Sequence, residues 1–424
     1  MSAAPPLEVL PLDTLETRRE ESNSTFSEML SFVRAVFGWI WRFTIGPLLC
    51  MSYFAAFAVF GWLTRHMQAV AIQWWWWQSR SRKHKSFAEY CDSLEPDAPR
   101  ARASWFVRER PLAAINSPLP DNREPDFLVK AWRALGVPVH SMWQNLTLGF
   151  KGILGTFMLV GWGGLLMTFS WLFGWHNSFN KGYEIAFLGP LTGFSGLLLF
   201  IAAMYYVPMA QAHFAMTGEI RAFLDFRFVW KLVRARLFAY TALIAMTGLA
   251  FVPLEILIIW PKYIEQMNPG FYDLSVEEYG KYLNQYFMFA SVYLFVALFV
   301  LRHLAARIYA SAVLAVLRRG DVLRSELHPK IGGWLDRLDV DVMPVLPGGV
   351  LEEVLKKGGG WLSRRLLFTF IFVVWFLVIS LVYVREFLHY HPYLGFSNQA
   401  LIQIPCITPV HTVEPPIPID TKRP

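Results

Sequence analysis

Residues 185–260 read IAFLGPLTGFSGLLLFIAAMYYVPMAQA (185–212), HFAMTGEIRAFLDFRFVWKLVRAR (213–236) and LFAYTALIAMTGLAFVPLEILIIW (237–260). The first block has no charged residue, and the third has only Glu255. Between them stand Arg221, Arg227, Lys231, Arg234 and Arg236, offset only by Glu219 and Asp225. Roughly 20 consecutive apolar residues cross a hydrocarbon core, and cationic loops stay on the cytoplasmic side. The stretch therefore predicts a transmembrane hairpin with a basic tip facing the cytoplasm.

Working outward, the same alternation continues. Apolar runs near 45–63, 152–175, 283–301 and 366–384 bring the expected spans to six. Loops one, three and five carry the Lys and Arg, which puts both termini outside. The composition agrees: of 424 residues 55% are hydrophobic and 17% charged, concentrated in runs rather than spread as in soluble domains. The net charge of +7 sits in alternate loops, so topology accounts for it and nucleic acid is not an expected partner. Cys50, Cys91 and Cys406 fall in different compartments, which argues against a disulfide. No cleavable signal sequence is evident near Met1.

The expected organisation is an all-α integral membrane bundle of about six spans with interfacial helices. Residues 1–24 form a disordered tail. Residues 25–85 hold an interfacial helix (Thr25 with Glu28 as its capping box), a bend at Gly46–Pro47, the first span and a basic Trp-rich segment. That segment carries Trp74, Trp75, Trp76 and Trp77, followed by Arg80, Arg82, Lys83 and Lys85. Four adjacent indoles point all round a helix, so an interface with anionic headgroups suits them better than one packed face. Residues 86–150 make a Pro-rich cytoplasmic lobe, 151–319 the core spans two to five, with an inner-surface continuation to Leu317, and 320–365 a cytoplasmic loop. Residues 366–384 are the sixth span, and 385–424 an extended Pro-rich tail.

Chemistry-bearing residues are few. Gly189, Gly193 and Gly196 on the third span, with Ser170 and Gly174 on the second, are small residues at helical spacing, which lets helix backbones approach. Gly193-Phe194-Ser195-Gly196 is similar to the Gly-x-Ser-Gly of rhomboid intramembrane proteases, but a base at the depth of Ser195 is missing from the sixth span. Glu255 is the one acid well inside a span, two residues after Pro253; a carboxylate there protonates, finds a partner or lines a wet path. As a functional residue it would be a proton or cation site; otherwise it reaches the outer interface. His176, His213, His303, His389 and His391 all fall at or beyond span ends, so neither haem nor a metal centre is expected. Phosphate loops, zinc-protease helices and Rossmann glycines are absent.

Gly161-Trp162-Gly163, residues 175–184, Met204-Tyr205-Tyr206-Val207-Pro208-Met209-Ala210-Gln211-Ala212, Phe226-Arg227-Phe228 and Arg234-Ala235-Arg236 form a pattern over about 161–257. It resembles the uncharacterised bacterial multi-spanning proteins grouped as a domain-of-unknown-function family. The resemblance implies a bacterial cytoplasmic membrane location and no known activity. Together these features predict a non-enzymatic scaffold, assembly factor or complex subunit, with membrane lipids and other membrane proteins as partners. A transporter or channel using Glu255 is the alternative, and a rhomboid-like protease the third.

Overall fold

The structure, a computed structural model, describes residues 33, 36–51, 53–79, 87–93, 125–170, 188–271, 273–340, 365–366 and 368–381. Its helices are α1 (Val36–Cys50), α2 (Tyr53–Trp77), α3 (Phe87–Ser93), α4 (Phe127–Phe169) and α5 (Leu188–Thr217). They continue with α6 (Phe226–Ala235), α7 (Leu237–Met267), α8 (Val276–Arg318), α9 (Pro329–Arg337) and α10 (Phe368–Leu381). Among the described residues the only extended pairing is a bridge from Ser79 to Val340, so the fold is an all-α bundle. The chain divides into two units, residues 1–46 and 47–424. Within the first, Phe37, Trp39, Ile40 and Trp41 are exposed, and Arg42 lies over Trp39 at 5.2 Å.

Among the described residues four helices are long and apolar enough to cross a membrane: α4, α5, α7 and α8. The ends of several are written locally. Ser275 and Glu278 open α8 with a reciprocal capping box, Ser275 Oγ accepting from the Glu278 amide at 3.3 Å and Glu278 accepting from the Ser275 amide at 3.0 Å. After α5, Gly218 takes φ +73°, a left-handed turn that a Cβ would strain, and its amide donates to Phe214 O. Pro329 opens α9, where a missing N–H costs nothing.

The second unit is organised around α2, which packs against α4 on one side and α8 on another. At the α2–α4 crossing a Cβ on Gly61 would run into the Asn145 carbonyl, and one on Gly149 into the Phe57 carbonyl. The two backbones touch without side chains between them. Gly152 admits the rings of Phe60 and Phe214, and Gly155 that of Phe223. Higher on α4, Gly163 faces Gly196 of α5, where an added Cβ would lie 2.9 Å from the Gly196 oxygen. Ser141, Asn145, Gly149, Gly152, Gly155, Gly163 and Ser170 thus form one buried, small-residue face along the whole of α4.

Two expectations about element boundaries change. The expected bend at Gly46–Pro47 lies within α1, the break comes at Met51, and α2 runs past the expected end of span one to Trp77. Arg65, just past the apolar run 45–63, donates to Asn145 Oδ1 at 3.0 Å across the α2–α4 contact. The second span and the preceding lobe also merge, because α4 is one helix of 43 residues. Likewise α8 continues without interruption to Arg318, with Ala305, Ala306, Tyr309, Ala310, Ala312 and Val313 buried rather than lying on a surface. At 1.5 Å per residue these helices are about 64 Å long, twice a hydrocarbon core of about 30 Å. The surplus length of α8, with α5, α6, α9, the start of α7, part of α10 and the end of α2, encloses the larger hydrophobic core, and of α4 only Leu148 and Leu159 pack against it. A smaller core at the other end of α7 and α8 holds Leu254, Tyr279, Leu283, Phe287, Ala290 and Leu294.

The glycine crossing gives a direct test. Gly149→Ala is expected to lower stability by about 1–3 kcal/mol, because the opposing atoms are backbone and cannot yield. Gly164→Ala, which meets nothing within 4 Å, is expected to leave the melting midpoint in detergent unchanged. Equal midpoints for both variants would contradict the close approach.

Candidate functional site: a buried histidine junction and an aromatic–basic face

The densest polar cluster lies where α5 ends and the chain turns through 220–225 into α6. His213 is 4% exposed. Its Nδ1 is 2.9 Å from the Tyr309 hydroxyl of α8, and its Nε2 is 3.6 Å from Asp225 Oδ2. Asp225 also caps α6 by accepting from the Phe228 amide at 3.3 Å. The His213 hydrogen-bonding geometry and charge hold the Asp225 carboxyl below the usual aspartate range, and the Phe228 amide adds to this while burial opposes it. Around this core Gln211 donates to Thr156 Oγ1 at 2.7 Å, Lys330 donates to the Thr217 carbonyl, and Lys231 donates to the Asp321 carbonyl at 2.9 Å. His328 of the α9 cap lies 3.3 Å from Glu219.

Asp225, His213 and Tyr309 stand in the order of a proton relay, yet the Tyr309 side chain at its end is fully buried. A substrate has no approach to it from that side. What the arrangement does is tie α5, α6 and α8 together, with α9 joined through Lys330 and His328. The sequence placed His213 at a span end as an interfacial polar residue. It is instead enclosed, because Tyr309 and Asp225 satisfy both ring nitrogens and make burial tolerable. His303 lies 3.4 Å from His66 of α2 and beside Phe299, a pairing that sequence separation concealed. Among the described residues no three His, Cys, Asp or Glu side chains converge as metal ligands.

The aromatic segment at the end of α2 departs from its expected interfacial placement. Trp75 is fully buried and donates its indole N–H to the Ala310 carbonyl at 3.0 Å, and Trp76 is 4% exposed. Trp74 is half-buried with Arg307 5.0 Å above its ring, and only Trp77 is broadly exposed. The α8 extension covers this turn from one side, a neighbour that no local pattern predicts. Arg80, Arg82, Lys83 and Lys85 lie outside the described residues, as do Gly174, His176, His389 and His391.

A different stretch presents aromatic and basic groups together. Along α6, Val229, Leu232 and Val233 are buried, while Phe226, Arg227, Trp230, Lys231 and Arg234 are exposed. Leu224 and Phe238 extend the exposed apolar edge at either end.

Of the packing residues, Ser170 is buried and donates to the Gly189 carbonyl at 2.5 Å, and Gly196 meets Gly163. Gly189 is buried and Gly193 half-buried. Ser195 is on the exposed face of α5 with Phe194 and Leu198, and among the described residues no histidine hydrogen-bonds to it. Glu255 is 4% exposed, on the stretch of α7 between Pro253 and Pro261. The far end of α7 is bound to α8 by Tyr293, whose hydroxyl donates to the Ala250 carbonyl at 2.8 Å.

No protein-family model, curated protein or solved structure matches this chain.

The depressed Asp225 carboxyl fixes the sign of an acid effect. Its stabilising contribution is present above the ordinary aspartate value of about 3.9 and is lost as pH falls through the lower, folded value. The midpoint gap between wild type and Asp225→Asn is therefore expected to be full at neutral pH and to close on acidification. A gap independent of pH would remove the charge-based account of this junction.

Proposed function

We propose that the chain is a non-enzymatic, multi-spanning membrane protein that serves as a scaffold, assembly factor or subunit of a membrane complex. The observation that carries this reading is the outer face of α4. Phe127, Leu128, Trp132, Leu135, Val139 and Trp143 are all more than 60% exposed. They precede the uncharged stretch 152–169, which is the part of α4 suited to hydrocarbon. A helix of about 64 Å would need a tilt near 45° to fit within the roughly 40–45 Å of core plus headgroups, above the usual 0–40° range. Several turns of α4 therefore stand clear of the bilayer with a large apolar stripe open, and such stripes mark protein contact sites. The stripe is flanked by Lys130, Arg133 and Lys151, and no acid lies within α4.

Lipid headgroups of anionic character are the other proposed partner, in a bacterial cytoplasmic membrane with the basic loops inside. Support comes from the alternation of charge along the chain and from the gathering of the α5 and α8 extensions in one core. The proposed kinship with the bacterial domain-of-unknown-function family rests on the sequence patterns between about 161 and 257.

A second reading, a transporter or channel, is favoured by Glu255: an acid buried in a proline-interrupted span is typical of ion pathways. The exposed placement of Ser195 gives the protease reading no support.

Purification in gentle detergent, with mass spectrometry of co-eluting proteins, tests the leading reading. A stoichiometric partner is expected to accompany wild type and to be lost from Trp132→Ser/Trp143→Ser while the protein stays monodisperse. Wild type free of partners would count against the scaffold role. Proton or cation flux in vesicles that Glu255→Gln abolishes would establish the transporter reading instead.

A further inference from the structure

Three elements converge on Tyr205 of α5. Its ring stands 6.2 Å from Trp230 of α6, 5.5 Å from Tyr240 in the first turn of α7, and 5.7 Å from Phe368 in the first turn of α10. The Tyr240 hydroxyl donates to the Tyr205 carbonyl, fixing the register of α7 on α5. Two apolar helices, α7 and α10, thus begin at one level, and α6 lies beside them. A level at which apolar helices start is where the hydrocarbon ends and headgroups begin.

At that level exposed apolar and cationic side chains stand together. Phe226, Trp230, Phe238, Leu366 and Phe368 are apolar, and Arg227, Arg234, Arg236 and Arg365 are cationic. The Arg234 guanidinium lies 5.8 Å over the Trp230 ring. The acids of the segment are already engaged, Asp225 with His213 and Glu219 with His328. Lys231 is held by the Asp321 carbonyl. Among the described residues neither Arg227 nor Arg234 has an ion pair, so both remain open to an anion arriving from the membrane.

We propose that the outward face of α6, formed by Phe226, Arg227, Trp230 and Arg234, binds the headgroup of an anionic phospholipid. The two aromatic rings enter the boundary between headgroup and acyl chain, and the guanidiniums meet the phosphate, whose geometry suits their paired N–H groups. Charge complementarity selects the occupant: an apolar protein partner would leave the arginines unmatched, and a soluble anion would leave the rings in water. The inference rests on the lipid partnership proposed above and is independent of the scaffold role.

The test uses the full chain in neutral detergent, titrated with phosphatidylglycerol, phosphatidylcholine or inorganic phosphate while the melting midpoint is followed. Phosphatidylglycerol alone is expected to raise the midpoint, and added salt to reduce the shift. Arg227→Gln/Arg234→Gln is expected to lose most of that shift, while Arg319→Gln/Lys281→Gln, which removes two exposed cations elsewhere, keeps it. Should the paired variant not fold, Arg227→Gln alone carries the same comparison with a partial loss. A full shift in the α6 variants overturns this site but leaves anionic-lipid binding standing. Phosphatidylcholine acting as well as phosphatidylglycerol overturns both. Inorganic phosphate giving the whole shift makes it a free-anion site and overturns the lipid assignment.

Discussion

The crossing of α2 and α4 at Gly61 and Gly149 is the contact on which the rest of the structure depends. Carbonyl groups of Asn145 and Phe57 occupy the space that a side chain would fill, so the two helices approach to backbone contact. Further along α4, in the uncharged stretch from residue 152, such contacts matter more than in water, since lipid tails are as apolar as leucine and burial of side chains offers little drive. Close backbone approach supplies dispersion contacts instead, and the hydrogen bond from Arg65 to Asn145 adds a polar lock beside them. Once α2 is held this way, its remaining faces are set towards α8 and α5.

The two longest helices, α4 and α8, diverge in role along their length. Their apolar portions suit hydrocarbon; the surplus turns of α4 leave Phe127, Leu128, Trp132 and Trp143 exposed, while those of α8 help build the larger core. Polar cross-links gather there: His213 with Tyr309 and Asp225, Trp75 with Ala310, Lys330 with Thr217, Lys231 with Asp321. Lys330 ends on the Thr217 carbonyl in the last turn of α5, a group that a helix leaves unsatisfied. Residues 127–150, expected as part of a separate lobe, are instead the first turns of the helix that forms a span.

Much of this was legible in residue order, and what was not has a physical cause. The apolar runs of α5 and α7 and the basic turn between them stand nearly where hydropathy puts them, because a span's length is fixed by the bilayer. The small-residue argument named Ser170, Gly189 and Gly196, whose contacts with α4 and α5 backbones are in place. The same logic applied to Asn145, Gly149, Gly152 and Gly155 would have traced α4 through residues set aside as a Pro-rich lobe. Pro138 obscured that pattern, although it sits inside the helix. The histidine junction was not legible at all: His213 and Tyr309 are 96 residues apart, and no local rule pairs them.

Two stretches of this chain combine aromatic and basic residues, and they meet opposite fates. In α2, Trp75 and Trp76 turn inward because the alanine-rich face of α8, with Ala306 and Ala310, leaves room for large rings, and the Ala310 carbonyl accepts the indole N–H. In α6 the inward positions are taken by Val229, Leu232 and Val233, so Phe226 and Trp230 have only the outward side. Composition is the same in kind; the partner face differs. Trp75 is buried where a neighbour supplies both volume and an acceptor, whereas Trp230 faces outward with the charges beside it. That difference depends on the opposing helix, which is why the run of four tryptophans does not by itself show that Trp75 and Trp76 turn inward while Trp77 stays exposed.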